Sequence, residues 1–458
     1  MYQDLSFMKV PIPEDVLKLK TYGDYAGAQK MIRYFLEHKD IPQALRKRLE
    51  IEQEVIGVMG ADEYPYSYEE ALEIMTKNLR DFKEEELKYL KEISAADWIY
   101  IDGKVHFQRL FYDNLVKTRP DLQARVITED EEEEKSNAKK QKLLNDNVHY
   151  MKEHGGRTVK TRIRATIKAK KEFEEAGRKV RVHLPIPKVY EQVSNVQIHA
   201  SNPEITYIAP EDAPQRTVYF ETELQPDQEF MVEYSFDYHV DYVELDPAKA
   251  SKEQPDFCLE EQAPHIMFTP YLRELRDELA GDETNPIILA RRFYDFVTTK
   301  VMYSFVREYF TIECIPEYCA VNLKGDCGVQ ALLFITLCRM SGIPARWQSG
   351  LYTTEFFTGT HDWSQFYVEP YGWVFADLSF GGSAWRLGNK ERWNYYFGNL
   401  DIFRMPSTSE IQKEFMPEKK WLRIDPIDNQ RGEFEYEDHG LRFSQIEVSQ
   451  ELLSMEDI

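Results

Sequence analysis

Cys327, His361 and Asp377 follow one another as thiol, imidazole and carboxylate, a set of side chains able to perform nucleophilic chemistry on a carbonyl carbon. Cys327 stands in Gly325-Asp326-Cys327-Gly328, directly ahead of the apolar run 329–338. Gly325 and Asp326 form a turn signal and the apolar run a helix signal, so the thiol is expected at a helix N-terminus. There the positive end of the helix dipole and a nearby imidazolium would lower its pKa toward the thiolate. His361 begins His361-Asp362-Trp363, and Asp377 ends Gly372-Trp373-Val374-Phe375-Ala376-Asp377. An imidazole titrates near neutral pH, and a carboxylate holds its tautomer.

The elements that must carry these groups are legible around them. Asn285 followed by Pro286 starts a helix whose apolar face is Ile287, Ala290, Phe293, Tyr294 and Val297. Gly342-Ile343-Pro344 stops the Cys327 helix, and segments 346–352, 363–368 and 372–377 have the apolar and aromatic content of strands. His361 by itself, after Gly359-Thr360, would be an exposed loop histidine. A helix start and two neighbouring strands are a rigid mounting for reactive groups.

Cys314, Cys319 and Cys327 together with His361 are also the donor types that zinc prefers. The gaps of four and seven residues are irregular and no C-x-x-C knuckle occurs, so no metal and no cofactor is expected. Cys314 and Cys319 suit a loop near the site, and Cys338 suits core packing. Five cysteines, with no basic start and apolar run at the N-terminus, argue against a disulfide framework and for a cytoplasmic protein. The longest apolar stretch, 331–338, is too short to cross a bilayer. A net charge of -23 repels phosphate backbones and anionic lipid, so neither nucleic acid nor membrane is an expected partner. The same charge hints at a cationic or neutral substrate, with most of it serving solvation.

Residues 285–382 resemble a transglutaminase-like core domain, within the papain-like cysteine protease group. The resemblance rests on 290–303, Gly325-Asp326-Cys327-Gly328, 338–346, His361-Asp362-Trp363 and 372–377. It implies Cys327 as nucleophile, His361 as base and Asp377 as the group that orients the imidazole. The Cys327 backbone amide would supply one oxyanion donor. It further implies Tyr303, Trp363 and Asp326 as residues bordering the site and Arg346 as structural.

The remaining chain divides by periodicity and charge. Residues 1–126 have helical spacing interrupted by one β-hairpin, 98–101 and 104–107 around Asp102-Gly103, and Ser67-x-x-Glu70 is a capping box. Residues 127–156 form a charged linker or helix, with an acidic run at 129–134 and Lys139, Lys140 and Lys142 after it. Residues 157–245 alternate as strands of an antiparallel β-sandwich. Residues 246–400 hold the catalytic domain, and 401–458 form a C-terminal extension packing on the core. The expected class is a multidomain α+β protein: helical domain, β-sandwich, and papain-like transglutaminase core. The expected activity is a thiol hydrolase acting on a peptide or other amide substrate through a thioester. The alternatives are a protein-glutamine acyltransferase, or a peptide-binding or protein-binding molecule that kept the fold without the chemistry. A third possibility is self-inhibition, with segment 304–324 or 401–458 over the cleft.

Overall fold

The computed structural model describes residues 4–127 and 131–458. The helix Cys327–Met340 lies at its centre, and every residue from Gly328 to Cys338 is buried. Such a helix needs no polar face, which is why Gln330 and Thr336 are the only polar side chains between Gly328 and Cys338. Asp326 caps it, its carboxylate accepting from the Val329 amide at 3.3 Å. The helix Pro286–Lys300 packs beside it, started by Asn285 as the sequence predicts.

These helices cover a five-stranded antiparallel sheet in the order Phe397–Gly398, Gly372–Ala376, Phe357–Val368, Ala345–Thr354, Arg404–Thr408. The histidine strand begins at Phe357, six residues before the expected start at Trp363, so His361 and Asp362 lie within the ladder, opposite Gly350 and Ser349. His361 is accordingly buried, not the exposed loop residue that its glycine-containing approach suggests. At Gly350 the Arg404–Thr408 strand comes so close that a Cβ would lie 1.9 Å from the Met405 carbonyl oxygen, so only glycine fits. The pairing of these two strands shifts register between Ser349 and Gly350.

Before the core come short helices with the hairpin Trp98–Ile101 and Lys104–Phe107, whose turn residues Asp102 and Gly103 both have positive φ. The Ser67 to Glu70 capping box forms with both of its hydrogen bonds. A helix spans Glu131–His154; residues 128–130 and the acidic side chains up to 134 lie outside the described residues. Two four-stranded sheets follow, each interleaving early and late chain. One has the order Glu433–Tyr436, Lys179–Pro185, Thr217–Glu223, Tyr207–Ile208. The other has the order Ile446–Asp457, Gly156–Ala169, Phe230–Asp241, Val193–Asn202.

The sandwich expected within 157–245 therefore takes one outer strand of each sheet from the C-terminal region. Residues 401–458 do not merely pack on the core as an extension. The physical reason is edge pairing: Gly156–Ala169 would otherwise expose a long row of unpaired amides and carbonyls. Among the described residues no helix is long and apolar enough to cross a membrane.

Ile163 is fully buried between the sheets and paired to Leu452 across the C-terminal strand. Ile163→Ala is expected to destabilise the protein by about 2–5 kcal/mol through lost burial and the cavity left behind. Urea unfolding followed by tryptophan fluorescence checks this value.

Candidate active site

The Cys327 thiol sits in the first turn of its helix, and the turn before it is tied to the core by a short parallel bridge, Met302–Tyr303 to Lys324–Gly325. Gly328 is required by close packing, since a Cβ there would lie 2.3 Å from Tyr309 Oη and 2.6 Å from Asp362 Oδ2. The thiol donates to Asp362 Oδ2 at 3.2 Å. Tyr309 Oη donates to Asp326 Oδ1 at 2.5 Å and lies 3.3 Å from Asp362 Oδ2. Gln430 Nε2 donates to Asp362 Oδ1 at 2.6 Å and to the His361 carbonyl at 3.1 Å.

Neighbours on one strand project to opposite sides, so His361 points away from Asp362. Its Nε2 pairs with Asp377 Oδ2 at 2.8 Å. Asp377 has no exposed surface; it caps the helix Leu378–Arg386, accepting from the Phe380 amide at 2.9 Å, and it meets Arg404 Nη1 at 3.0 Å. Arg404, equally buried, also binds Asp401. Among the described residues His361 Nδ1 has no hydrogen-bond partner, and the ring packs against Phe380 with centroids 4.8 Å apart.

The electrostatics of the two halves differ. Burial alone would raise Asp377, but the His361 and Arg404 charges outweigh it and hold the carboxyl below its usual range. Burial lowers His361, Asp377 pulls it back up, and Arg404 pushes it down, for a net shift below the ordinary imidazole value. Cys327 moves the other way. Burial raises it, and the Asp362 and Asp326 carboxylates raise it further, to well above an ordinary thiol. The lowered thiol pKa expected from the helix dipole is thus overridden in this state by desolvation and two adjacent acids. Asp362 is itself raised, by burial first and then by the neighbouring Asp428 and Asp326 carboxyls.

The cavity at Cys327, about 150 Å³, is lined by Tyr303, Asp326, Asp362 and the segment Asp425, Asp428, Asn429 and Gln430. A larger one of about 770 Å³ opens on His361. The two adjoin, sharing Tyr303, Phe305, Thr360 and Arg431 in their walls.

Of the residues expected from sequence, the structure pairs His361 with Asp377 and places Cys327 at the helix start, while the thiol and imidazole share no hydrogen bond. Tyr303 and Asp326 line the Cys327 cavity. Trp363 does not border it. Trp363 alternates with Asp362, is completely buried behind His361, and donates to Gln348 Oε1 at 2.7 Å. Arg346 pairs with Glu191 and Gln365, and its guanidinium lies 3.8 Å from the Trp373 ring centroid. Cys319 is buried and Cys314 lies ahead of the next helix; among the described residues no group of three or more His, Cys, Asp or Glu could hold a metal ion. Sequence reasoning missed Arg404, Asp362, Asp428 and Gln430. Arg404 had a signal: a lone charge in Ile402-Phe403-Arg404-Met405.

Residues 273–378 match the transglutaminase-like superfamily. This segment is a transglutaminase-like core. Among solved structures, a candidate cysteine protease from Cytophaga hutchinsonii is 12% identical, with 66% of this chain and 90% of that one covered and a TM-score of 0.36. The periplasmic domain of TgpA from Pseudomonas aeruginosa is 13% identical, covering 55% of this chain and 96% of that one, with a TM-score of 0.29. No curated protein matches. The match places Cys327, His361 and Asp377 all within the transglutaminase-like segment, and leaves Arg404, Asp428 and Gln430 outside it.

Asp425, beside this core, is pushed up to about 7 by burial first and the neighbouring Asp428 second. Unfolded carboxyls titrate near about 4, so the folded state holds this proton more tightly than the unfolded one. Asp425 therefore penalises the fold increasingly as pH rises from about 4 to about 7, and no further above that. Asp425→Asn should flatten this part of the profile, with thermal midpoints that fall less between acid and neutral pH than those of the wild type. Calorimetry at a series of pH values tests this; parallel profiles would contradict it.

Proposed function

We propose that this protein is a thiol hydrolase cleaving an amide bond, with Cys327 as nucleophile, His361 as general base and Asp377 as the residue that orients it. The observation that carries the reading is the polarised imidazole. Nε2 is committed to a buried carboxylate held low by the imidazole itself and by Arg404, while Nδ1 has no partner among the described residues and lies beside a cavity that adjoins the thiol. That is the division of labour a general base requires.

In the resting state the thiol is protonated and held by Asp362. Rotation about its Cα–Cβ bond frees it to pass the proton to His361 Nδ1, and the sulfur then attacks the amide carbon. The carbonyl oxygen takes up the negative charge near the Cys327 amide at the helix start. Collapse breaks the C–N bond, His361 returns the proton to the leaving amine, and a thioester remains for water to hydrolyse. All five cysteines are free, in keeping with a reducing compartment such as the cytoplasm. The Cys327 to Asp362 hydrogen bond favours a second reading, in which the site binds a peptide or protein without turning it over.

Iodoacetamide labelling across pH, with adducts located by peptide mass, separates the two. Asp362→Asn removes an acid that raises the thiol, so Cys327 should alkylate about tenfold faster near neutral pH, with its midpoint displaced downward. Adding His361→Ala should cancel that gain. Equal rates in all variants, or adducts on Cys258 and Cys314 with Cys327 untouched, would reject the thiol chemistry and leave the binding reading.

A further inference from the structure

The charge of the chain is not evenly spread. Asp and Glu number 80 against 57 Lys and Arg, yet the cavity on His361 is lined by Lys117, Lys140, Arg386, Arg392 and Arg431, and by no Asp or Glu among the described residues. Other basic side chains around the site, Arg109, Arg404 and Arg423, are each tied to a carboxylate. These five are not: among the described residues none forms an ion pair. Among the described residues the side chains of Arg386 and Arg431 make no hydrogen bond. Arg392 is the sharpest case, because it is only 3% exposed and its guanidinium is hydrogen-bonded to neutral oxygens alone, those of Gln141 and Asn145. A buried charge without a counter-ion is costly, and five like charges around one cavity add mutual repulsion. An anion entering the cavity relieves both.

Aromatic rings form the rest of the wall. Lys117 rests on Phe305 and Tyr303, 4.0 and 5.1 Å from the ring centroids, and Lys140 stands 5.8 Å from that of Phe357. Lys117 is thereby held on rings that line both cavities, close to the thiol. Across that boundary acids outnumber bases, with Asp326, Asp362, Asp425, Asp428, Glu308 and Glu433 lining the Cys327 side beside Arg109, Arg307 and the shared Arg431. A ligand spanning the two would meet acid at the thiol and base beyond the imidazole.

We propose that the His361 cavity is a substrate subsite for an acidic peptide, its carboxylates bound by Arg386, Arg392, Arg431 and Lys117 and its apolar parts laid against Phe305, Phe357 and Phe380. Guanidinium groups suit this task because they meet carboxylates through paired donors. The identity of the ligand as a peptide rests on the proposed amide chemistry, whereas its charge rests on the cavity alone. The net acidity of the chain pointed instead to a cationic or neutral substrate. That inference fails here because net charge averages over a surface whose local sign inverts at the site.

The test is binding, not turnover. The full chain with Cys327→Ser is titrated by calorimetry with capped tetraglutamate, tetraglutamine and tetralysine peptides and with inorganic phosphate, at low and high salt. Tetraglutamate should bind at least about tenfold more tightly than the neutral peptide and weaken with salt. Arg386→Gln combined with Arg431→Gln should abolish that preference; neither side chain has a hydrogen bond among the described residues to lose, and circular dichroism verifies the fold. Equal binding of all three peptides, preference for tetralysine, or no peptide binding overturns the proposal. So does phosphate binding as tightly as tetraglutamate, which would make this a site for a free anion. The thiol is absent throughout, so failure here and failure of Cys327 labelling are separate results.

Discussion

A carboxylate with no exposed surface must have its charge answered on every side, and Asp377 is such a group. Its partners are His361 on the adjacent strand, Arg404 from the far edge of the same sheet, and the amide of Phe380 at the start of the following helix. Each belongs to a different element, so the strand order and register of the whole sheet are set by the need to bring them together. Removing one partner from a buried ion pair costs about 3–5 kcal/mol, far more than an exposed pair contributes. Arg404 is in turn held by Asp401, which fixes the guanidinium before it meets Asp377. Burial here stabilises little by itself; its effect is an imidazole held in one orientation.

The two sides of the histidine strand then do different things. On one, the imidazole opens on a basic, aromatic cavity. On the other, the thiol lies among carboxyls that keep it protonated. Burial, Asp428 and Asp326 all raise Asp362, while Gln430 donates to Asp362 and Ser349 donates to Asp428. The segment 425–433 that supplies Asp428 and Gln430 is anchored by Arg423, which is buried and bonded to Gln215, Glu433 and the Asp428 carbonyl. This segment is a built wall of the Cys327 cavity, not a loosely held cover. Of the segments named for self-inhibition, 401–458 thus reaches the site as architecture.

What was legible in the sequence was local. The Cys327 helix announced itself because a fully buried helix needs a predominantly apolar run, and the glycines on either side of Asp326-Cys327 are there because nothing larger fits against Val329, Tyr309 and Asp362. The hairpin turn and the Ser67 capping box followed from residue type alone. The long-range partners were silent. Arg404, Asp428 and Gln430 reach the site only through sheet closure and a loop without periodicity. Trp363 was misplaced because, although it shares the face of His361, it lies completely buried and stacked behind the imidazole. The last strand, Ile446–Asp457, did carry a signal: Ile446, Val448 and Leu452 alternate with polar residues, yet its partner lay nearly three hundred residues earlier.

The central claim is that a buried imidazole–carboxylate pair turns a guarded thiol into a nucleophile, and acylation tests it most directly. Treatment with p-nitrophenyl acetate, followed by intact and peptide mass measurement, should show a single acetyl group on Cys327. The adduct should be lost in His361→Ala and slowed in Asp377→Asn, which keeps the shape but not the charge. An acetyl group found elsewhere, or the same Cys327 acylation rate without the imidazole, would contradict the account.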